Sequence, residues 1–292
     1  MIHLSVANLE RFARLGNNPT LHLSRLQGHS ERGSLLPEHV LVAHDDERDL
    51  GRIAIVTYPD GATRLYLWDS PLDHPESAPV HRVLITGAID RARAAGMTNL
   101  GTTIVDQDDT DPAGKRAALA EDGWLADSER LELQADTSSR PVAPEVVQTS
   151  PQDASITAVM AASMSHSLDD YDRNQVAELG AEKAAIGYRD MMTSGNSETP
   201  WLTYQGPNGC DGVAALMPLD DELCLGYLGV DPSARKQGIG GKLVNAMVDM
   251  AYKSGLSKAT ASVAVDNKPI RATLDAAGFT TRSKRTDFER KL

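Results

Sequence analysis

The sequence is poor in cysteine, in positive charge and in long apolar stretches. Among 292 residues only Cys210 and Cys224 occur, and their spacing matches no metal motif, which argues against a disulfide framework or a zinc site. Lys and Arg number 29 against 41 Asp and Glu, a formal charge of −12. A nucleic-acid partner is therefore not expected, because phosphates need basic surface to neutralise them. No uninterrupted apolar span approaches the length that crosses a bilayer, and the first residues lack a basic region followed by an apolar core and a cleavage site. The expectation is a cytoplasmic protein with reduced thiols and no membrane partner. What is present, 41% hydrophobic and 24% charged residues, describes a folded globular chain long enough for one large or two ordinary domains.

The apolar pattern runs twice through a similar plan. In the first half it predicts helices within Val6–Gln27, interrupted at Asn17-Asn18-Pro19, then strands over 39–43, 52–58 and 64–68 with a turn at Tyr58-Pro59-Asp60-Gly61. A helix over 79–95 stopped by Gly96, a strand over 100–105, a helix over 112–121 and a strand over 130–133 follow. The stretch 136–145, with Ser138, Ser139, Pro141 and Pro144, reads as a linker. The second half predicts a strand over 146–149, helices over 153–164 and 176–192, and strands over 201–205 and 212–217 around the Gly206-Pro207-Asn208-Gly209 turn. A strand ending at Val230, a helix stopped by Gly255, a strand over 259–265, a helix ending at Gly278-Phe279 and a strand over 282–290 complete it. An offset of 159 residues carries Gly96 onto Gly255, Trp68 onto Tyr227, Val80 onto Ile239 and Leu84 onto Leu243. Two domains are expected, 1–135 and 146–292, joined by 136–145.

The chemistry concentrates between Leu223 and Leu243. An apolar strand is broken at Asp231-Pro232, and Arg235, Lys236, Gln237, Gly238, Ile239, Gly240 and Gly241 then lead into an amphipathic helix. A strand, a glycine-rich turn and a helix N-terminus make a nest of free backbone N–H groups that suits a phosphate or pyrophosphate. Leu243 stands where a P-loop needs Ser or Thr nearby and where a dinucleotide fingerprint needs its third glycine, so neither motif fits. A glycine-rich turn with no ligand is the blander alternative. In the first copy Glu76, Pro79 and His81 occupy the places of Arg235, Gly238 and Gly240. A carboxylate repels pyrophosphate and proline deletes an N–H, so the copy at Asp73–His81 is expected to have lost the site, with His81 a surface residue.

The pattern Arg235-x-x-Gly238-x-Gly240, reinforced by Asn267, Ala272 and Gly278-Phe279, resembles the acyl-CoA signature of the GCN5-related N-acetyltransferase (GNAT) superfamily. The resemblance covers 146–292 well and the first half by plan. It implies an α/β (α+β) fold of two tandem GNAT-like domains, each a mixed, mostly antiparallel splayed sheet flanked by helices, the first degenerate. It implies acetyl-CoA as cosubstrate and an amine acceptor on a small molecule or peptide. Leu228, Gly229 and Val230 would then bond the pantetheine along their backbone, with the Val230 N–H polarising the thioester carbonyl, while Arg235–Gly241 hold the pyrophosphate and Asn267 lies beside the pantetheine. Where many relatives carry a glutamate base stands Cys224, and where they carry a tyrosine acid stands Leu274. Glu222 is the substitute base, acting through water, against a plain solvated carboxylate. Tyr227 or Tyr204 is the substitute acid, against a core tyrosine. Cys224 reads as a structural thiol. The helices expected to form the acceptor pocket carry His166, Asp169, Asp170, Asp172, Glu178 and Glu182, which suit a cationic acceptor, against the blander account of a solvated acidic loop. The tandem layout is also similar to that of mycothiol synthases. A non-catalytic acyl-CoA-binding protein is the rival reading.

Overall fold

The computed structural model describes the chain except residues 59–60, 72–75, 108, 195–199, 208 and 220. Parts of the expected turns at Pro59-Asp60 and Asn208, and Asp73 of the altered copy, lie outside the described residues. The chain forms two compact units, 1–129 with 285–292, and 130–284. Among the described residues no helix is long and apolar enough to cross a membrane.

The first unit contains β1 (His3–Val6), α1 (Leu9–Ala13), α2 (Pro19–Glu31), β2 (Val40–His44), β3 (Asp49–Thr57), β4 (Thr63–Asp69), α3 (Ser77–Ala94), β5 (Asn99–Val105), α4 (Pro112–Glu121) and the start of β6 (Leu125–Asp136). Strands β1 to β4 pair antiparallel in sequence order, and β4 meets β5 in parallel at Arg64 and Gly101. The second unit contains the rest of β6, β7 (Val146–Gln148), α5 (Ala154–Met164), α6 (Asp170–Leu179), α7 (Ala181–Ser194), β8 (Trp201–Gly206), β9 (Gly209–Leu219), β10 (Glu222–Val230), α8 (Ile239–Lys253), β11 (Lys258–Ala264), α9 (Lys268–Ala276) and the start of β12 (Thr280–Lys291). Strands β7 to β10 are antiparallel and β10–β11 is the parallel pair. Each sheet is thus mixed and mostly antiparallel, with helices against it.

The expected boundary between residues 135 and 146 needs correction. Residues 130–136 of β6 pair antiparallel with β11, inside the second unit, whereas 285–291 of β12 pair antiparallel with β5, inside the first. Each unit therefore takes its closing strand from the other half of the sequence. Local apolar alternation specifies a strand but not its partner, and residue 133 alone could not reveal the crossing. The linker is also held: the Arg140 N–H donates to Asp249 Oδ1 at 3.0 Å and its guanidinium to Asn245 Oδ1 at 2.8 Å.

The repeat is visible at matching details. Helices α3 and α8 end alike, with Gly96 and Gly255 both at φ +73° and the next N–H bonded back to Ala92 or Ala251, the left-handed stop that glycine permits. In β3, a Cβ on Gly51 would lie 2.7 Å from Val80 and 3.1 Å from Leu84; in β9, one on Gly212 would lie 2.7 Å from Ile239 and 3.2 Å from Leu243. In both units glycine lets the helix start seat directly on the sheet. Around Leu243, Val244, Met247, Val248 and Ala251 of α8 the second core closes completely. Two expectations fail locally: β1 precedes the first helices, and the helix expected over 176–192 is two, divided at Gly180 with φ +81°.

Candidate functional site

Helix α8 begins at Gly238, whose φ of +77° only glycine adopts without strain, and no side chain caps it. Two residues earlier Lys236 is also left-handed, at φ +65°. Two left-handed residues ahead of an uncapped helix turn its first N–H groups outward. Packing does not explain the other glycines: a Cβ on Gly241 would meet nothing within 4 Å, and one on Gly240 only ordinary contacts at 3.6 and 3.8 Å. Asn267, at the start of α9, makes no capping bond with its side chain.

The strand leading into this loop is open along one edge. On one side β10 pairs with β9 as far as Val230, with a bulge at Gly226. On the other it pairs with β11 only from Glu222 to Leu225. Beyond Leu225 the strands part, while the other edge of β11 stays paired with β6 from Lys258 to Ala264. The backbone of Gly226 to Val230 therefore borders a gap that ends at the α8 N-terminus. From α7, Tyr188 donates its hydroxyl to the Gly226 carbonyl at 2.8 Å.

Leu228 and Val230 pack towards the α8 core, whereas Tyr227 belongs to the core under α5 and α7. Its hydroxyl shares a hydrogen bond with Ser163 Oγ at 2.6 Å, and a Cβ on Gly229 would lie 2.7 Å from its ring. Burial pushes the Tyr227 and Tyr188 phenols far above their usual range. The rings of Tyr171, Tyr188 and Tyr227 follow one another at 6.1 and 5.2 Å. Asp172, accepting from Ser167 at 2.7 Å, has its pKa raised by burial and by Asp169, against the Ser167 bond and Arg130. Arg130 pairs with Asp169 at 2.9 Å. Of the expected acceptor-side residues, Asp169 and Asp172 gather here; Asp170 pairs with Arg173 on the surface.

The expected catalytic positions are redistributed. Glu222 starts β10 and pairs with Arg282 at 3.5 Å; eight residue steps separate it from Val230, about 26 Å along the strand. That distance removes it as a base for chemistry at Val230. Leu274 is fully buried in the α8 core and so presents nothing to the gap. Burial raises the Cys224 thiol, against a bond to Thr260, as a structural thiol requires. Tyr204 is held by Lys242, whose Nζ donates to its hydroxyl at 3.0 Å and lies 4.7 Å from its ring centre. Arg235 directs its guanidinium at three backbone carbonyls, Val230, His166 and Ser163, at 3.2–3.3 Å. The contacts with His166 and Ser163, 69 and 72 positions away, leave no mark in local sequence.

In the first unit, among the described residues, β4 also pairs with β5 at Arg64 and Gly101 alone, and α3 also lacks a side-chain cap; the turn ahead of the helix is what differs. The positions matching Lys236–Gly238 are Ser77–Pro79, wound into the first turn of α3. His81 is fully buried, not superficial; its ring stands edge-on to Trp68 at 5.2 Å, with Asp111 3.7 Å from Nε2. At the end of β4, Asp69 pairs with Arg52 at 2.8 Å and with Lys115 at 3.6 Å, and Lys115 reaches Asp109 at 2.5 Å. Burial would raise the Asp69 carboxyl, but Lys115 and Arg52 outweigh it and hold the pKa below the usual range.

Residues 166–279 match the family model described as Acetyltransferase (GNAT) family. Over 99% of this chain and 95% of the other, the fold is similar to a GCN5-related N-acetyltransferase from Sphaerobacter thermophilus, with TM-score 0.64 at 10% identity. It is similar over 100% and 98% to a tandem GNAT protein from the clavulanic acid biosynthesis pathway, TM-score 0.57 at 14% identity. A GCN5-related N-acetyltransferase from Kribbella flavida gives TM-score 0.54 at 13% identity over 98% and 96%. No curated protein matches the sequence.

Proposed function

With a GNAT-family acetyltransferase domain in its second unit, we propose that this chain is an acetyl-CoA-dependent N-acetyltransferase acting on the amine of a small molecule or peptide. The observation that carries the reading is the junction of an open strand edge with an uncapped helix N-terminus at Lys236–Gly241. The pantetheine lies along Leu228–Val230 as an added strand, and the Val230 N–H polarises the thioester carbonyl. The backbone N–H groups of 236–241 hold the pyrophosphate against the positive end of α8. Asn267 borders the pantetheine.

The uncharged amine attacks the thioester carbon, the C–S bond breaks, and one proton leaves the nitrogen while another reaches the thiolate. Asp172 suits the first transfer, because a carboxylate with a raised pKa is the stronger base, and its charge bears on both Tyr188 and Tyr227. Tyr227, kept neutral and lying beside Gly229, suits the second. The sequence-based choice of Glu222 is withdrawn.

Calorimetry with coenzyme A tests the cofactor site. Gly241→Glu adds a carboxylate where a side chain has open space, so the fold persists while the charge repels pyrophosphate. Affinity is expected to fall on the order of a hundredfold; undiminished binding refutes the loop assignment. Non-catalytic acyl-CoA binding is favoured by one observation, the burial of Leu274. Thiol release from acetyl-CoA with a panel of amines, faster than hydrolysis, decides against it.

A further inference from the structure

Arg235 stands first in the loop and carries a charge that would suit pyrophosphate, yet its guanidinium is directed elsewhere. Nε donates to the Val230 carbonyl at 3.3 Å, one terminal nitrogen to His166 at 3.2 Å and the other to Ser163 at 3.3 Å. Ser163 lies in the last turn of α5 and His166 two residues past its end, where the dipole is negative; the Ser163 carbonyl also accepts the His166 N–H at 3.2 Å. Val230 is the last residue of β10. A single planar fork thus ties the end of the strand to the end of a helix, a geometry that lysine cannot reproduce.

The tie bears on the thioester position. Ser163, whose carbonyl Arg235 holds, shares its hydroxyl with Tyr227 and would lie 2.5 Å from a Cβ on Gly229. The last turn of α5 is pressed onto Gly229, and Arg235 fixes it there. We propose that Arg235 is a positioning residue, which latches α5 and the Tyr227–Ser163 pair against Leu228–Val230, while the loop backbone alone holds the pyrophosphate. This rests on the acetyltransferase reading of the same site.

The test compares wild type, Arg235→Ala and Gly241→Glu. In calorimetry with coenzyme A, Arg235→Ala is expected to stay within about threefold of wild type, while Gly241→Glu loses affinity on the order of a hundredfold. Hydrogen exchange, which needs no acceptor, is expected to show the amides of 165–167 exchanging at least about tenfold faster in Arg235→Ala. With an amine that supports thiol release, kcat falls at least about tenfold and KM for acetyl-CoA changes little. If Arg235→Ala loses coenzyme A affinity as Gly241→Glu does, Arg235 is a phosphate ligand and the latch is wrong. Unchanged exchange at 165–167, or an unchanged kcat, also overturns it. Failure of wild type to bind coenzyme A overturns the underlying acetyltransferase reading instead.

Discussion

The two units place the same segment in different states. In the second, Lys236 and Gly238 are left-handed ahead of α8; in the first, residues 77–79 are already helix, and neither helix has a side-chain cap. Both strands part from their parallel neighbours, β10 beyond Leu225 and β4 beyond Arg64, but Asp69 at the end of β4 is engaged by Arg52 and Lys115. The scaffold tolerates either outcome because its core contacts, such as Gly51 under Val80 and Gly212 under Ile239, lie behind the segment that differs. The loop can thus be wound into helix and the strand end filled by charged side chains, without dismantling the sheet.

The largest effect is expected from removing the filling. Lys115→Met leaves Asp69 and Asp109 without their shared cation, a loss of about 3–5 kcal/mol. In urea with hydrogen exchange as readout, the first unit should lose protection while the amides of α8 keep theirs; equal losses in both would erase the distinction between them. Acid probes the same cluster. Since the folded Asp69 pKa is depressed, its contribution is present above about pH 4 and lost as pH falls through the folded value. The first unit should accordingly lose protection before the second on acidification.

A smaller effect separates matched positions. Ser70, the counterpart of Gly229, is buried and donates to the Leu50 carbonyl at 2.8 Å, so the first unit accepts a side chain there. At Gly229 a methyl group meets Ser163 and the Tyr227 ring, and Gly229→Ala is expected to cost about 1–3 kcal/mol in chemical denaturation. Lys236→Gly removes a left-handed strain that the first unit lacks, and should raise stability by no more than about 1 kcal/mol with coenzyme A affinity retained. The smallest change concerns Asp172. Its raised folded pKa means that its charge costs stability at neutral pH, a cost that fades as pH falls through that pKa. Asp172→Asn should therefore have the higher Tm at pH 8, with the difference shrinking on acidification, and slower acetyl transfer if Asp172 is the base.

Much of this was legible in the chain. Gly96 and Gly255 announced the ends of α3 and α8, because a left-handed stop has a sequence signature, and the loop before α8 showed its glycines openly. The filling at the end of β4 was half legible: Glu76 and Pro79 marked an altered loop, but the partnership of Lys115 with Asp69 joins residues 46 positions apart. His81 was misjudged for the same reason, since Trp68 and Asp111 come from other elements. Asp172 was visible only as one of several acidic residues; its burial, which sets it apart, belongs to packing. Strand parity put Glu222 on a face but said nothing about its distance from Val230 along the strand.

The traded closing strands bear on synthesis. Residues 1–129 leave the ribosome first, yet the strand that completes their sheet, 285–291, is made last. The second unit, 130–284, is continuous in the chain and has all its strands some residues earlier. The usual order, in which the N-terminal domain folds first during translation, is therefore inverted: the later-made unit can close its sheet while the earlier-made one waits with β5 unpaired along one edge. A stalled or prematurely terminated chain would then deliver an intact glycine-rich loop on a molecule whose first half exposes a sheet edge, the kind of surface that chaperones and proteases meet first.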